Sequence, residues 1–124
     1  MLYTLFVRYP EPSPSELTEA QIREGRSSFD NFAKELDNSG LLVSAMMFPS
    51  AAETTTVRLV GETLETVDGP ADVETAPIGG AFVIDVETEG DAFAIAHRAP
   101  SIAWGPIEVR EVQTVFRDGE WRPA

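Results

Sequence analysis

The sequence contains no cysteine. Disulfides and thiolate-held metal sites are therefore excluded, and a reducing, cytoplasmic setting is the expectation. One histidine is present, His97; with no cysteine to join it, a transition-metal site is not expected, and neither is a cofactor. Basic side chains are scarce: nine lysines and arginines stand against 21 acids, for a net charge of −12. Such a surface repels phosphate backbones and anionic headgroups, so neither nucleic acid nor a membrane is an expected partner. Trp104, Trp121 and Phe116 accordingly read as packing residues and not as a base-stacking platform. No apolar run approaches the roughly 20 residues that cross a bilayer. The first segment, Met1-Leu2-Tyr3-Thr4-Leu5-Phe6-Val7-Arg8, lacks a basic leader and a small-residue cleavage site, and reads as a strand and not a signal peptide.

What is present suits an ordinary folded domain. Hydrophobic residues make up 43% and charged residues 24% of 124 positions, which argues against wholesale disorder. One domain over residues 1–124 with a single modest core is expected. Residues 2–8 are apolar, aromatic and β-branched, as in a central strand. Pro10, Pro12 and Pro14 at alternate positions make a loop. Thr18 and Gln21 form a capping box, with Leu17 and Ile22 as its staple; Ser13-x-x-Glu16 with Pro14 is a competing start. Ile22, Gly25, Phe29, Phe32 and Leu36 fall on one helical face, and Gly25 there would let the helix approach the sheet. Gly40 supplies the left-handed stop.

Leu41–Phe48 reads as a second strand and Pro49–Glu53 as a loop. Residues 54–60 and 63–67 read as strands joined at Gly61-Glu62, a hairpin at the sheet edge. A strand over about 79–87 follows. Thr88 caps a helix from Glu89 to about Arg98, stopped by Pro100. Ile107–Gln113 is the last strand. In the tail, Asp118-Gly119 marks a turn, and Phe116 and Trp121 either fray or pack across a partner. Without the hairpin the order is βαββαβ, so the expected class is α+β: a ferredoxin-like domain with an inserted edge β-hairpin. Two helices cover one sheet face and no segment remains for the other. A homodimer with sheets face to face, a dimeric α/β barrel, is the expected solution.

Four residues stand out as functional candidates. His97 has the one side chain that titrates near neutrality, and is a candidate base; the alternative is a helix-terminal histidine facing solvent. Asp68 and Glu74, with Asp72, lie close in the chain and are candidate catalytic carboxylates. The alternative is turn chemistry, Asp68 accepting from nearby backbone amides while Gly69 and Pro70 set the dihedrals. Gly79-Gly80 is no phosphate loop, since no helix or Lys-Ser/Thr follows; it reads as a tight strand lead-in or a bulge. Arg110 alternates with Ile107 and Val109. If those two face the helices, Glu108 and Arg110 face away, and Arg110 pairs with Glu108, Asp85 or an acid across the dimer, or clamps a ligand carboxylate.

Asp68-Gly69-Pro70, Glu74-Thr75, Gly79-Gly80 and Phe82-Val83-Ile84-Asp85 follow in order. Tyr3 and Leu5 precede them, with Phe32, Leu36 and Gly40-Leu41-Leu42-Val43. Ala92, Ala96, Pro100 and Ile107-Glu108-Val109-Arg110 come after. This ordered set resembles the YCII-related family, in its DGPF-domain branch, over nearly the whole chain. The resemblance implies a ferredoxin-like fold and a dimeric α/β barrel. It implies little about activity, since most of that family is of unknown function. Some relatives are thought to use a His–Asp pair, and DGPF-type members are often encoded beside extracytoplasmic-type sigma factors. Here Phe29 and Ala99 stand where the histidine and aspartate align. Ala71 replaces the motif's phenylalanine, which would widen a pocket at the turn. The leading expectation is a small dimeric domain that binds a small organic ligand or a protein partner without catalysis. The alternatives are an enzyme doing proton-transfer or lyase-type chemistry on a small, for instance aromatic, substrate, and a regulatory partner of a sigma factor.

Overall fold

The first strand, β1 (Leu2–Arg8), runs through the middle of a four-stranded sheet. In the computed structural model, which describes residues 1–13 and 15–124, β1 pairs antiparallel with β5 (Ile78–Asp85) on one side and with β6 (Ile107–Glu111) on the other. The edge strand β2 (Leu42–Met47) pairs with β5, giving the order β2-β5-β1-β6. Pro14, part of the alternative helix start, lies outside the described residues. Successive side chains of a strand point to opposite faces. Tyr3, Leu5 and Val7 of β1 and Phe82 and Ile84 of β5 therefore share one face. There they meet Phe32 and Leu36 of α1 (Glu19–Asn38) and Ala92, Ile95 and Ala96 of α2 (Glu89–His97). Phe82 is the centre of this core, edge-on to Phe32 at 5.2 Å and stacked on Phe29 at 6.2 Å. Full burial of side chains this size contributes on the order of 2 kcal/mol each, which makes this face the main source of stability.

Local chemistry sets the helix ends. Gln21 N–H donates to Thr18 Oγ1 at 3.1 Å and the Gln21 side chain accepts from Thr18 N–H at 2.9 Å, the full capping box. The competing pair Ser13 and Glu16 makes only a turn, with Ser13 Oγ donating to Glu16 at 2.9 Å. At the other end Gly40 takes φ 72°, and Leu41 N–H reaches back to Leu36 O. Gly25 does not work as expected. A Cβ added there meets nothing within 4 Å, so no close approach to the sheet requires it. Leu17 and Ile22 remain 38% and 40% exposed, because the first turns of α1 run beyond the core.

Two further departures concern strands. The hairpin forms between β3 (Thr55–Val60) and β4 (Thr63–Asp68) around Gly61, but as a ribbon of its own and not as part of the sheet edge. Pro49 ends β2 without a donor, and a 3-10 turn at Ala51–Glu53 swings the chain away. Glu11 clamps that turn, accepting from Ala51 N–H at 2.6 Å and Ser50 Oγ at 2.8 Å. The strand expected over Ile107–Gln113 stops at Glu111, since β1 runs out beside it. It is also not the last strand. A second ribbon follows, β7 (Thr114–Arg117) with β8 (Glu120–Pro123), turning at Asp118-Gly119. The described residues thus form a mixed α+β structure with two α-helices and three antiparallel sheets. None of its helices is long and apolar enough to cross a membrane.

Candidate functional site

The register of β1 against β5 slips at its end: Val7 faces Gly80 but Arg8 faces Ile78. Gly79 is left in a bulge, as one reading of the Gly-Gly pair expected. The Tyr9 ring lies directly over it, so a Cβ on Gly79 would run into that ring. A Cβ on Gly80 would stand 2.6 Å from Met46 O, a backbone atom with little room to move. Burial raises the Tyr9 phenol above its ordinary value, and Glu11 adds to the shift.

This bulge aims the Arg8 side chain across the sheet face that turns away from the helices. Its Nε donates to Ala76 O at 2.9 Å, and its two terminal nitrogens reach Glu74 and Glu108 at 2.7 Å each. Glu108 also accepts from Arg110 at 3.2 Å, and the Arg110 guanidinium lies 5.9 Å from the centre of the Phe6 ring. The result is a chain of alternating charge, Glu74–Arg8–Glu108–Arg110. The Glu74 hydrogen bond raises the Arg8 pKa against the opposing effect of desolvation, with Glu108 adding to it. Arg8 in turn holds the Glu108 carboxyl below the usual glutamate range, and Arg110 does so to a lesser degree.

The expected alternation in β6 is present: Ile107 and Val109 pack on the core, and Glu108 and Arg110 face the other way. Arg110 has the expected partner in Glu108, yet 71% of its side chain stays in solvent. Glu74 ties the connection between β4 and β5 to the sheet through Arg8. Asp68 ends β4 opposite Thr55 and is exposed. The turn beside it is held by other groups. Gly69 N–H donates to Thr54 O at 2.7 Å, and Thr56 Oγ1 donates to Gly69 O at 2.8 Å. Gly69 has φ 102°, a conformation a side chain would strain. His97 is the last residue of α2, exposed to solvent.

Two concavities open on the surface. An open groove of about 260 Å³ runs between α1 and β2, floored by Phe29, Phe82, Met46 and Met47, with Arg26 and Asp30 at its rim. A cleft of about 360 Å³ lies between the Phe48–Thr54 segment and the connection carrying Pro70, Glu74 and Pro77. Of the four candidates only Glu74 borders either space; Asp68, His97 and Arg110 do not, and nor does Ala71. Glu74 and Arg110 are brought into one ion network, while Asp68 and His97 stand apart from it. Among the described residues no group of three or more His, Asp or Glu is arranged to hold a metal ion. Phe29 and Ala99, where the resemblance would put a His–Asp pair, are packing residues: Phe29 stacks on Phe82, and Ala99 is buried at 2% exposure.

Sequence reasoning passed over Arg8 and Arg26. The signal for Arg8 was a cation at the end of an otherwise uncharged buried strand, which has to find partners. For Arg26 it was a cation three residues before Phe29 on the same helical face. No family model matches this chain, and no curated protein matches it either.

Proposed function

We propose that this chain is a ferredoxin-like domain that pairs through its open sheet face into a dimeric α/β barrel. In this reading it holds a small apolar organic anion without catalysis of its own. The sheet order β2-β5-β1-β6, with two helices on one face, supports the βαββαβ reading. The ordered resemblance to the YCII-related family supports the pairing, as does the opposite face, where half-buried Phe6 and Val83 have no helix over them. The observation that carries the binding reading is the groove along α1. Its floor is aromatic and thioether. Lys34 engages Asp30 at 2.7 Å, so Arg26 is left as the free cation at the rim among the described residues. A planar apolar body with one carboxylate matches that arrangement. Asp68, Glu74 and His97 do not converge on the groove, which favours holding a ligand over transforming it.

Calorimetric titration with aromatic and straight-chain carboxylates, beside their neutral amides, tests the reading. Carboxylates should bind and amides should bind less well. Arg26→Gln should weaken carboxylate binding about fivefold to tenfold, the scale of one charge-assisted contact near solvent. His97→Ala should leave it unchanged. Equal binding of acid and amide, or indifference to Arg26→Gln, would sink the assignment.

A further inference from the structure

Asp-Gly occurs twice in the chain, at Asp68-Gly69 and at Asp118-Gly119, each time at the end of a ribbon strand. An aspartate before glycine is open to ring closure through the main chain. Glycine has no Cβ to shield its amide nitrogen from the carboxyl carbon of the residue before it. The structure holds the two sequences differently. Asp68 is the last residue of β4, paired with Thr55 in a ribbon of six residues per strand. The Gly69 amide is committed to Thr54 O at 2.7 Å, and Gly69 O accepts from Thr56 Oγ1 at 2.8 Å. Bringing that nitrogen onto the Asp68 carboxyl breaks a hydrogen bond and the end of a ladder.

Asp118 and Gly119 form the two-residue turn between β7 and β8 and belong to neither strand. Their φ angles are 54° and 83°, and Asp118 is the one non-glycine residue with positive φ among those described. An L residue disfavours that conformation, so the ladder must hold Asp118 in it. The ladder is short: four residues in each strand, with no sheet alongside. A ribbon of that kind is marginal in water and opens at small cost. The Gly119 N–H has no hydrogen-bond partner among the described residues. The Asp118 side chain is 80% exposed, and Arg122, 3.8 Å from it, lies closer to Glu120 at 3.0 Å.

We infer that Asp118-Gly119 is a site of spontaneous main-chain modification, passing through a succinimide to isoaspartate, and that Asp68-Gly69 is protected from it. In the first step the Gly119 nitrogen attacks Asp118 Cγ. The N–Cγ bond forms, the Cγ–OH bond of the neutral carboxyl breaks, and the amide proton leaves with the hydroxyl as water. In the second step water opens the ring. Cleavage at Cγ–N restores aspartate. Cleavage at the Asp118 main-chain carbonyl leaves the chain running through Cβ and Cγ, with the former main-chain carbonyl as a free carboxylate. The link between Arg117 and Glu120 is then one methylene longer. It no longer fits the register that sets Phe116 edge to face with Trp121 at 5.4 Å.

The test holds the full chain for weeks at physiological temperature and mildly acidic pH, once native and once in urea, with circular dichroism following the fold of the native sample. Isoaspartate is counted at each site by peptide mapping with electron-transfer fragmentation. In urea the two sites should react at similar rates. In the native protein Asp118 should react severalfold faster than Asp68. A native ratio equal to the urea ratio, or below it, overturns the inference. Asp118→Asn closes the same ring with loss of ammonia and tolerates positive φ, so the turn is kept. It should convert many-fold faster than Asn38, which ends α1 in the same chain. An Asp118→Asn protein that keeps both asparagines equally long overturns the inference as well.

Discussion

Arg8 directs its donors to acceptors from distant parts of the chain: Ala76 O, 68 residues away, Glu108, 100 residues away, and Glu74. That distance explains why this residue was hard to read. A capping box is visible within four residues, but a guanidinium with far partners shows in the sequence only as an unpaired charge. Glu108 was legible as a neighbour of Arg110, through the alternation of Ile107-Glu108-Val109-Arg110. A pH prediction follows from its depressed carboxyl. A group whose folded pKa lies below its unfolded value stabilises the fold above the unfolded value and loses that effect as pH falls through the folded one. Glu108→Gln should therefore lower the urea midpoint most near neutrality. The gap to the native protein should close as pH falls below the ordinary glutamate value of 4.5. Urea melts of both proteins in steps from pH 7 to the acid limit of folding check this. A gap that stays constant would show that the carboxylate's charge contributes nothing.

α1 shows how far local signals reach at the scale of an element. Thr18, Gln21 and Gly40 set its ends, because caps are made by residues close in sequence. The periodic stripe located Phe32 and Leu36 in the core. It failed at Ile22 and Gly25, since periodicity gives a direction around the helix but not where along it the sheet ends. Gly25 keeps the entropic cost of glycine with no packing return. Gly25→Ala should stabilise the protein by about 1 kcal/mol, read as a higher melting temperature with the circular dichroism spectrum unchanged. A lower melting temperature would mean that the first turns of α1 need that flexibility. The ribbons failed for a related reason. Alternation in residues 54–67 is the same whether the hairpin joins a sheet edge or stands free, and the 3-10 turn that decides it is clamped by Glu11 from a distant loop.

At the scale of the molecule, the mixed α+β class and the element order as far as β6 were legible because each strand and helix carries its own pattern, whereas β7–β8 showed only its Asp118-Gly119 turn. The candidate site was less so. Asp68, Glu74 and His97 were singled out by residue type, whereas convergence on a groove depends on tertiary positions that residue type does not encode. The proposed pairing makes its own demand on the open face. Val83 lies there between Thr4 and Ser44, opposite in direction to the core residues Phe82 and Ile84. Val83→Asp should convert the dimer to monomer by light scattering while the helical signal is retained, because an unpaired carboxylate there would be desolvated on association. A Val83→Asp protein that still dimerises would remove the sheet face from the interface. One last consequence belongs to the two edges of the main sheet. The β6 edge carries Glu108, Arg110 and Glu111, but β2, Leu42 to Met47, has neither a charge nor a proline. One edge is guarded against strand addition and the other is bare. A fibre needs two adhesive edges to keep growing. In the main sheet only one edge is bare, so strand pairing through that sheet joins β2 to β2 and stops at two, and salt that screens the acidic surface favours closed pairs over its further extension.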